Sequence, residues 1–469
     1  MGECKIKATC DELDRFLSTL SQPTIPSPEI LTASVVTSPV HIVGDTSNNS
    51  SPTEAYRCKC SFQICADDNH QLKCVIRQNG NICQLPHGIF PPANSRIREA
   101  MSSLMDMLNQ TNVEVVENNT KTTYKFPQMR ENLTSLTFDT SWNEAECLVT
   151  MHYGPPGIKR SCFDRWKGEA KIICEECRFL RVTGRSKGVK LFQTTSNCVA
   201  VGTDESLAEE GIIQDTLWLS LRKRSDCQES IHRIHSVSLK EPEKSTDTLN
   251  VRIQYQKPAT AFQHPNAGVM LTSLHWIINT LSNISYKHMA TKPSDVRKKR
   301  LRLLEMYNGA GAHTIPLAKS MLLSDIVAVE LDERLVKACI NNCRLNNCLK
   351  SEKCNGAETL VDVIKGDAAE WAAKTLRCLK KKTNNNGSNE YNEFDILLVD
   401  PPRQGLDKTV CEMAIKGTFS HLIYISCGRR ALIRDLELLC KNFFIEEMAV
   451  IDLFPGTDAV ETLLHLKRK

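Results

Sequence analysis

A cysteine and a glutamate, Cys427 and Glu461, have the settings that suggest chemistry most directly. Cys427 follows the apolar run Leu422-Ile423-Tyr424-Ile425-Ser426, so a strand would carry its thiol to one edge of a sheet. A thiolate presented there is a nucleophile, whereas most of the 21 cysteines would be inert buried side chains. Glu461 stands inside a second hydrophobic run, Val460 to Leu466, beyond the turn Pro455-Gly456-Thr457. A carboxylate there is costly unless it has a partner or a task, such as accepting a proton.

Four further signals mark a ligand site. The run Leu303 to Tyr307 reads as a buried strand, and Gly309-Ala310-Gly311 as a turn that brings backbone close to a ligand. The next strand, Ile326 to Glu330, ends in a carboxylate about 20 positions later, the spacing at which nucleotide-type cofactors present ribose hydroxyls. A third strand runs into Gly366-Asp367 and a fourth into Asp400-Pro401-Pro402-Arg403, where two prolines force the chain out of the sheet at its ligand-binding edge. Each feature alone could be a tight turn or a solvated strand end. Their succession makes Gly309, Gly311, Glu330, Asp367 and Asp400 a single candidate cofactor site.

The elements that must position these residues follow from the pattern. Beyond Val251, strands alternate with helices, which predicts a parallel sheet with crossover helices, a Rossmann-like α/β domain over 251–469. Before it, β-like runs at Tyr56–Cys65, Gln71–Arg77, Ser135–Phe138 and Glu146–Met151, with a helix at Ser95–Leu108 and a helical stretch near Thr216–Arg224, predict an α+β domain over 56–250 with a mainly antiparallel sheet. Residues 1–55 read as a flexible tail with a short helix at Asp11–Leu20, and Lys380–Asn392 as a surface loop.

Composition narrows the classes. The net charge of +4 is too small to steer the chain onto nucleic acid by itself, although Arg297-Lys298-Lys299-Arg300 with Arg302 could meet phosphates or simply be solvated. An odd cysteine count without a leader-like start points to a reducing, intracellular setting, expected to be cytoplasmic. With no apolar window of about 18 residues, no membrane partner is expected. Cys174-Glu175-Glu176-Cys177, near Cys58, Cys60 and Cys65, lacks a second pair at metal spacing, so no metal site is assigned.

Taken with Phe262–Asn266, Val399–Leu406, Tyr424–Cys427, Arg434-Asp435-Leu436 and Asp452–Glu461, these segments resemble the RNA 5-methyluridine methyltransferase family, and within it the tRNA (uracil-5-)-methyltransferases. The resemblance implies a class I S-adenosylmethionine-dependent methyltransferase domain preceded by an RNA-recognition domain, with S-adenosyl-L-methionine as cofactor and the T-loop uridine of tRNA as target. By position, Cys427 resembles the family nucleophile, Glu461 its base, and Tyr307, Glu330 and Asp400 its cofactor contacts. Arg429 and Arg430 are candidates to lower the thiol pKa, and could equally be solvated or hold phosphate. A monomer is expected. The sequence departs from the family at His264, which holds the place of a glutamine while Gln263 precedes it, and at Asn308, Ala312, Gly428, Arg429 and Ala459. Arg403 and Gln404 after the prolines argue against exocyclic-amine and 5-methylcytosine enzymes; a non-catalytic tRNA-binding factor that retains the fold is the alternative.

Overall fold

The computed structural model describes residues 7–9, 11–13, 15–16, 55–78, 81–85, 89–116, 119–186, 198–201, 212–223, 232–258, 262, 264–290, 300–352, 359–382, 394–455 and 457–469. Gln263, Gly456, Arg297 to Lys299, the tail over 21–53 and most of the expected loop Lys380–Asn392 lie outside them. Contacts divide the chain into two compact units, residues 43–215 with 256–267, and residues 1–42, 216–255 and 268–469.

The first unit is built on a seven-stranded sheet of β1 (Lys59–Ala66), β2 (Leu72–Gln78), β3 (Asn81–Gln84), β6 (Leu133–Thr140), β7 (Cys147–Tyr153), β8 (Leu180–Ser186) and β9 (Cys198–Val201), in the order β3-β2-β1-β6-β7-β8-β9. A separate hairpin pairs β4 (Thr111–Val116) with β5 (Asn119–Tyr124). All neighbours in the large sheet are antiparallel except β7 and β8. That parallel pair needs a crossover, which the helix Phe163–Glu176 supplies. Alternate residues of β1, Cys60, Phe62 and Ile64, enter the core, as a half-buried strand requires. The helix Ser95–Leu108 joins that core and is capped by Asn94, whose Oδ1 accepts the Ile97 N–H at 2.9 Å.

The stretch near Thr216–Arg224 is a strand and not the expected helix. It belongs to β10 (Ile212–Lys223), which lies between β11 (His232–Ser238) and β12 (Thr248–Pro258). The reason is its period: Ile213, Asp215, Leu217, Leu219 and Leu221 are buried, a repeat of two that no helix face can satisfy. Residues from Thr216 to Tyr255 group with the second unit.

In the second unit β13 (Leu301–Met306), β14 (Leu323–Glu330), β15 (Leu360–Lys365), β16 (Ile396–Val399), β17 (His421–Ser426), β18 (Phe443–Asp452) and β19 (Val460–Arg468) form a sheet in the order β15-β14-β13-β16-β17-β19-β18. The first five strands are mutually parallel, and β19 runs antiparallel between β17 and β18. This is the expected Rossmann-like α/β fold. Ile396-Leu397-Leu398-Val399 is buried throughout, as befits a parallel strand covered on both faces. Strand order reverses between β13 and β16, and open α/β sheets bind ligands in the crevice outside the carboxyl ends at such a switch point. Leu13, within the stretch expected to be a flexible tail, is buried in this unit's core, with Phe16 packed against it. No described helix is long and apolar enough to cross a membrane.

One buried charge interrupts the pattern. Glu305 lies inside β13 at 2% exposure and accepts a hydrogen bond from Thr314 Oγ1 at 2.7 Å. Burial pushes its carboxyl up to about 8, with Asp400 and Glu330 adding to the rise and the Thr314 hydrogen bond opposing it. A raised carboxyl favours the fold while protonated, so its contribution is complete below the unfolded value of about 4.3 and is lost as pH rises towards 8. Glu305→Gln should therefore flatten the decline in unfolding free energy between pH 5 and 8 by on the order of a few kcal/mol, measured by denaturant titration at each pH. An unchanged slope would place the titration elsewhere.

Candidate active site

Four loops meet the carboxyl ends of the parallel strands, and each carries residues singled out from the sequence. After β13, Tyr307 adopts a left-handed backbone with φ 64°. A bulky side chain seldom does so, and such strain concentrates at ligand sites. The glycine turn that follows is tied down by its neighbours. Gly309 N–H donates to Glu330 Oε2 at 2.9 Å, and Asn342 Nδ2 donates to the Ala310 carbonyl at 2.9 Å. Gly311 has φ 90°, and a Cβ there would stand 3.0 Å from Cys339 Sγ on the helix Glu333–Leu345 beneath, so glycine is required by conformation and by space.

Glu330 ends β14 as expected, and its carboxylate is held by backbone donors. Oε1 accepts the N–H groups of Leu331 and Asp332, both at 2.8 Å, while Oε2 serves Gly309. An oxygen so oriented retains lone pairs for a diol. Asn308 Oδ1 is buried in the same turn without a hydrogen-bond partner among the described residues. An acceptor-rich cradle with a strained backbone and a carboxylate at the second strand fits a nucleoside-type cofactor, which Tyr307, Gly309, Gly311 and Glu330 are placed to hold. Asp367 has a structural task as well: its Oδ1 accepts from Ala369 and Glu370 N–H at 2.9 and 3.0 Å, capping the helix Ala368–Lys382. His264 lies in the first unit, where its Nδ1 sits 2.8 Å from the Asn266 carbonyl and burial lowers it to about 4.

Cys427 follows the last residue of β17, and Ser426 pairs with Thr462 across to β19. One step further along that register the half-buried thiol faces Glu461, which is 5% exposed. Asp400, after β16, completes the group. Burial first and then the Glu461 and Asp400 charges push the thiol up to about 11; Arg403 is the cation that opposes them. Burial raises Asp400, and burial together with Asp400 raises Glu461 well above the carboxylate range. The resting site therefore holds a protonated thiol opposite two carboxyls that resist simultaneous ionisation.

The expectation that Arg429 or Arg430 tunes the thiol is corrected by the contacts. Arg429 turns to the amino-terminal segment, with Nε 2.9 Å from Glu12 Oε2 and Nη1 donating to Thr9 Oγ1 at 3.2 Å. Neither arginine is among the groups that shift Cys427. Arg403 takes that part.

Two loops are fastened by residues for which the sequence suggested no role. Asp435, on the helix Arg429–Leu439, is 1% exposed, and its Oδ2 accepts from Tyr424 Oη at 2.7 Å and Leu406 N–H at 2.8 Å. Arg434 reaches from the same turn to the Gln404 and Leu406 carbonyls at 2.9 and 3.2 Å. Gly428 is explained by the same approach, because a Cβ there would collide with the Arg403 carbonyl oxygen. Glu305 was equally missed, although a glutamate inside an otherwise apolar strand was its legible signal.

The family model for tRNA (uracil-5-)-methyltransferase matches residues 235–469. Among curated proteins, the tRNA/tmRNA (uracil-C(5))-methyltransferase of Sulfurovum sp. is 27% identical over 328 residues, 69% of this chain and 66% of that protein. The one from Aliarcobacter butzleri is 30% identical over 227 residues, 47% of this chain and 52% of that protein. These first two matches thus span between half and two thirds of the relatives' lengths. The Teredinibacter turnerae protein is 22% identical over 421 residues, 89% of this chain and 90% of its own. A solved structure, Pyrococcus abyssi tRNA (uracil-54, C5)-methyltransferase in complex with S-adenosyl-L-homocysteine, gives a TM-score of 0.48 at 15% identity, covering 89% of this chain and 77% of that one.

The packing of the two loops is testable. Gly428→Asn must separate the Cys427 and Arg403 segments, and is expected to lower substrate turnover at least tenfold while costing about 1–3 kcal/mol of stability, read by thermal unfolding. Asp435→Ala leaves the Tyr424 hydroxyl and the Leu406 N–H unpaired, and should cost about 2–4 kcal/mol by the same measurement. A Gly428→Asn protein with unaltered turnover would contradict the close approach.

Proposed function

Since the chain belongs to the tRNA (uracil-5-)-methyltransferase family, we propose that it methylates carbon 5 of a uridine in tRNA, that of the T-loop, through a covalent adduct of Cys427 at carbon 6. The observation that carries this reading is Cys427 and Glu461 facing each other across β17 and β19, at the edge of the sheet where the cofactor cradle lies. When bound, S-adenosyl-L-methionine supplies an electrophilic methyl group. The rest of the work falls to side chains.

Carbon 5 of uracil is a poor nucleophile. Addition of the Cys427 thiolate to carbon 6 forms the sulfur–carbon bond and moves an electron pair onto the carbon 5 side, as an enolate able to accept the methyl group. Arg403 favours the thiolate, against burial and the two carboxyls. After transfer, ionised Glu461 takes the carbon 5 proton. The freed pair restores the ring double bond as the carbon–sulfur bond breaks, and Cys427 leaves with its electrons. The target base must leave its stack to reach this pair, at an expected cost of a few kcal/mol, and the exposed Arg403 is a candidate to contact it or its phosphate.

Unmodified tRNA and labelled methyl donor test the proposal. The unaltered protein should transfer label to tRNA; Cys427→Ala should be inactive and form no adduct; Glu461→Gln should accumulate a denaturation-resistant protein–RNA complex. No transfer by the unaltered protein would favour a non-catalytic tRNA-binding factor. A second outcome follows from proton accounting. Both Cys427 and Glu461 are raised and both must lose a proton to act, so kcat/KM should climb across pH 6 to 9, by up to about a hundredfold per unit where both are protonated and about tenfold per unit once only the thiol is. A profile that falls over this range would assign the roles wrongly.

A further inference from the structure

At the other end of β17 and β19 from the catalytic pair, two histidines and a glutamate converge. His421 opens β17, His465 lies in β19 and Glu446 in β18, so three strands adjacent in the sheet contribute one group each. One ligand atom from each lies within 4.8 Å of the other two, with His421 Nδ1 and His465 Nε2 only 2.9 Å apart. Among the described residues no other such group of three occurs. We propose that His421, His465 and Glu446 form a binding site for a zinc-type divalent transition metal.

Three observations converge on it. The donor set of two imidazoles and one carboxylate is one that zinc accepts, with a fourth position left open, and here His421 and Glu446 are only half-buried. Glu446 sits where the β18–β19 register breaks between Ile445 and Glu447, the kind of irregularity that re-aims a side chain. The histidine pair is poorly satisfied as a purely structural contact: His465 is 3% exposed, and its Nδ1 has no hydrogen-bond partner among the described residues.

Charge states suit a cation. Burial lowers His421 and His465, the latter also through His421, so both imidazoles are neutral at pH 7 and offer lone pairs. Burial works against ionisation of Glu446, but the Lys287 hydrogen bond and the nearby positive charges outweigh it and hold the carboxylate low. Lys287 Nζ lies 2.7 Å from Glu446 Oε1 and is 61% exposed, so this carboxylate already receives a cation that can swing away. Six strand positions, roughly 20 Å, separate His421 from Cys427, which makes the metal a clip on the strands and not a party to methyl transfer.

The full chain, stripped with chelator and titrated with Co2+, tests the site. One equivalent should bind with ligand-field bands and without a thiolate-to-cobalt charge-transfer band, and should raise the unfolding temperature. His421→Gln and Glu446→Gln, both at half-buried positions and checked for native circular dichroism, should each weaken binding at least tenfold. Absence of Co2+ binding, a thiolate band, or unchanged affinity in His421→Gln would overturn the proposal. Methyl transfer by the metal-free protein provides the control for the catalytic end.

Discussion

A single buried carboxylate, Asp435, decides whether the candidate active site exists. It joins β17, through Tyr424, to the loop after β16, through Leu406, from a helix that itself starts two residues beyond Cys427. The Cys427 strand, the Asp400 loop and the helix behind them are thus fixed by one residue. Arg434 adds two carbonyls of the same loop. Buried, fully used hydrogen-bonding groups of this sort are worth little in net stability but much in geometry, because no alternative arrangement satisfies all of the partners.

On that frame the electrostatics are set by exclusion of water. A thiol and two carboxyls share a pocket in which each negative charge disfavours the others. The Cys427 thiol is not kept ionised at rest. Arg403, on the exposed face of the proline loop, is the counterweight. A thiol held protonated in this way is less open to oxidation than a thiolate, since reactivity follows thiolate character.

Much of this was readable beforehand. Alternation of strands with helices gave the Rossmann-like sheet, and the addresses of Glu330, Asp400 and Cys427 at successive strand ends located the edge where a ligand belongs. Three kinds of information were not local. The 216–224 segment was read as a helix, whereas its buried residues repeat every two positions and it is completed as a strand by β11 and β12, which lie further along the chain. Gly428 looked like a departure from the family, yet its cause is the Arg403 carbonyl 25 positions earlier in the chain. Arg429 seemed poised to tune the thiol, and instead pairs with Glu12, a partner more than 400 residues away that no pattern near Cys427 discloses.

The insertion of β19 between β17 and β18 has a consequence for how the molecule assembles. β18 precedes β19 in the chain but reaches the sheet only through it, so until this hairpin docks, the Cys427 strand presents an unpaired edge of backbone donors and acceptors. Docking covers that edge and delivers Glu461 in the same event. Loss of the hairpin would therefore expose a sticky strand and remove Glu461 from the site together, so that a misassembled chain would be prone to aggregate rather than to linger with half a site.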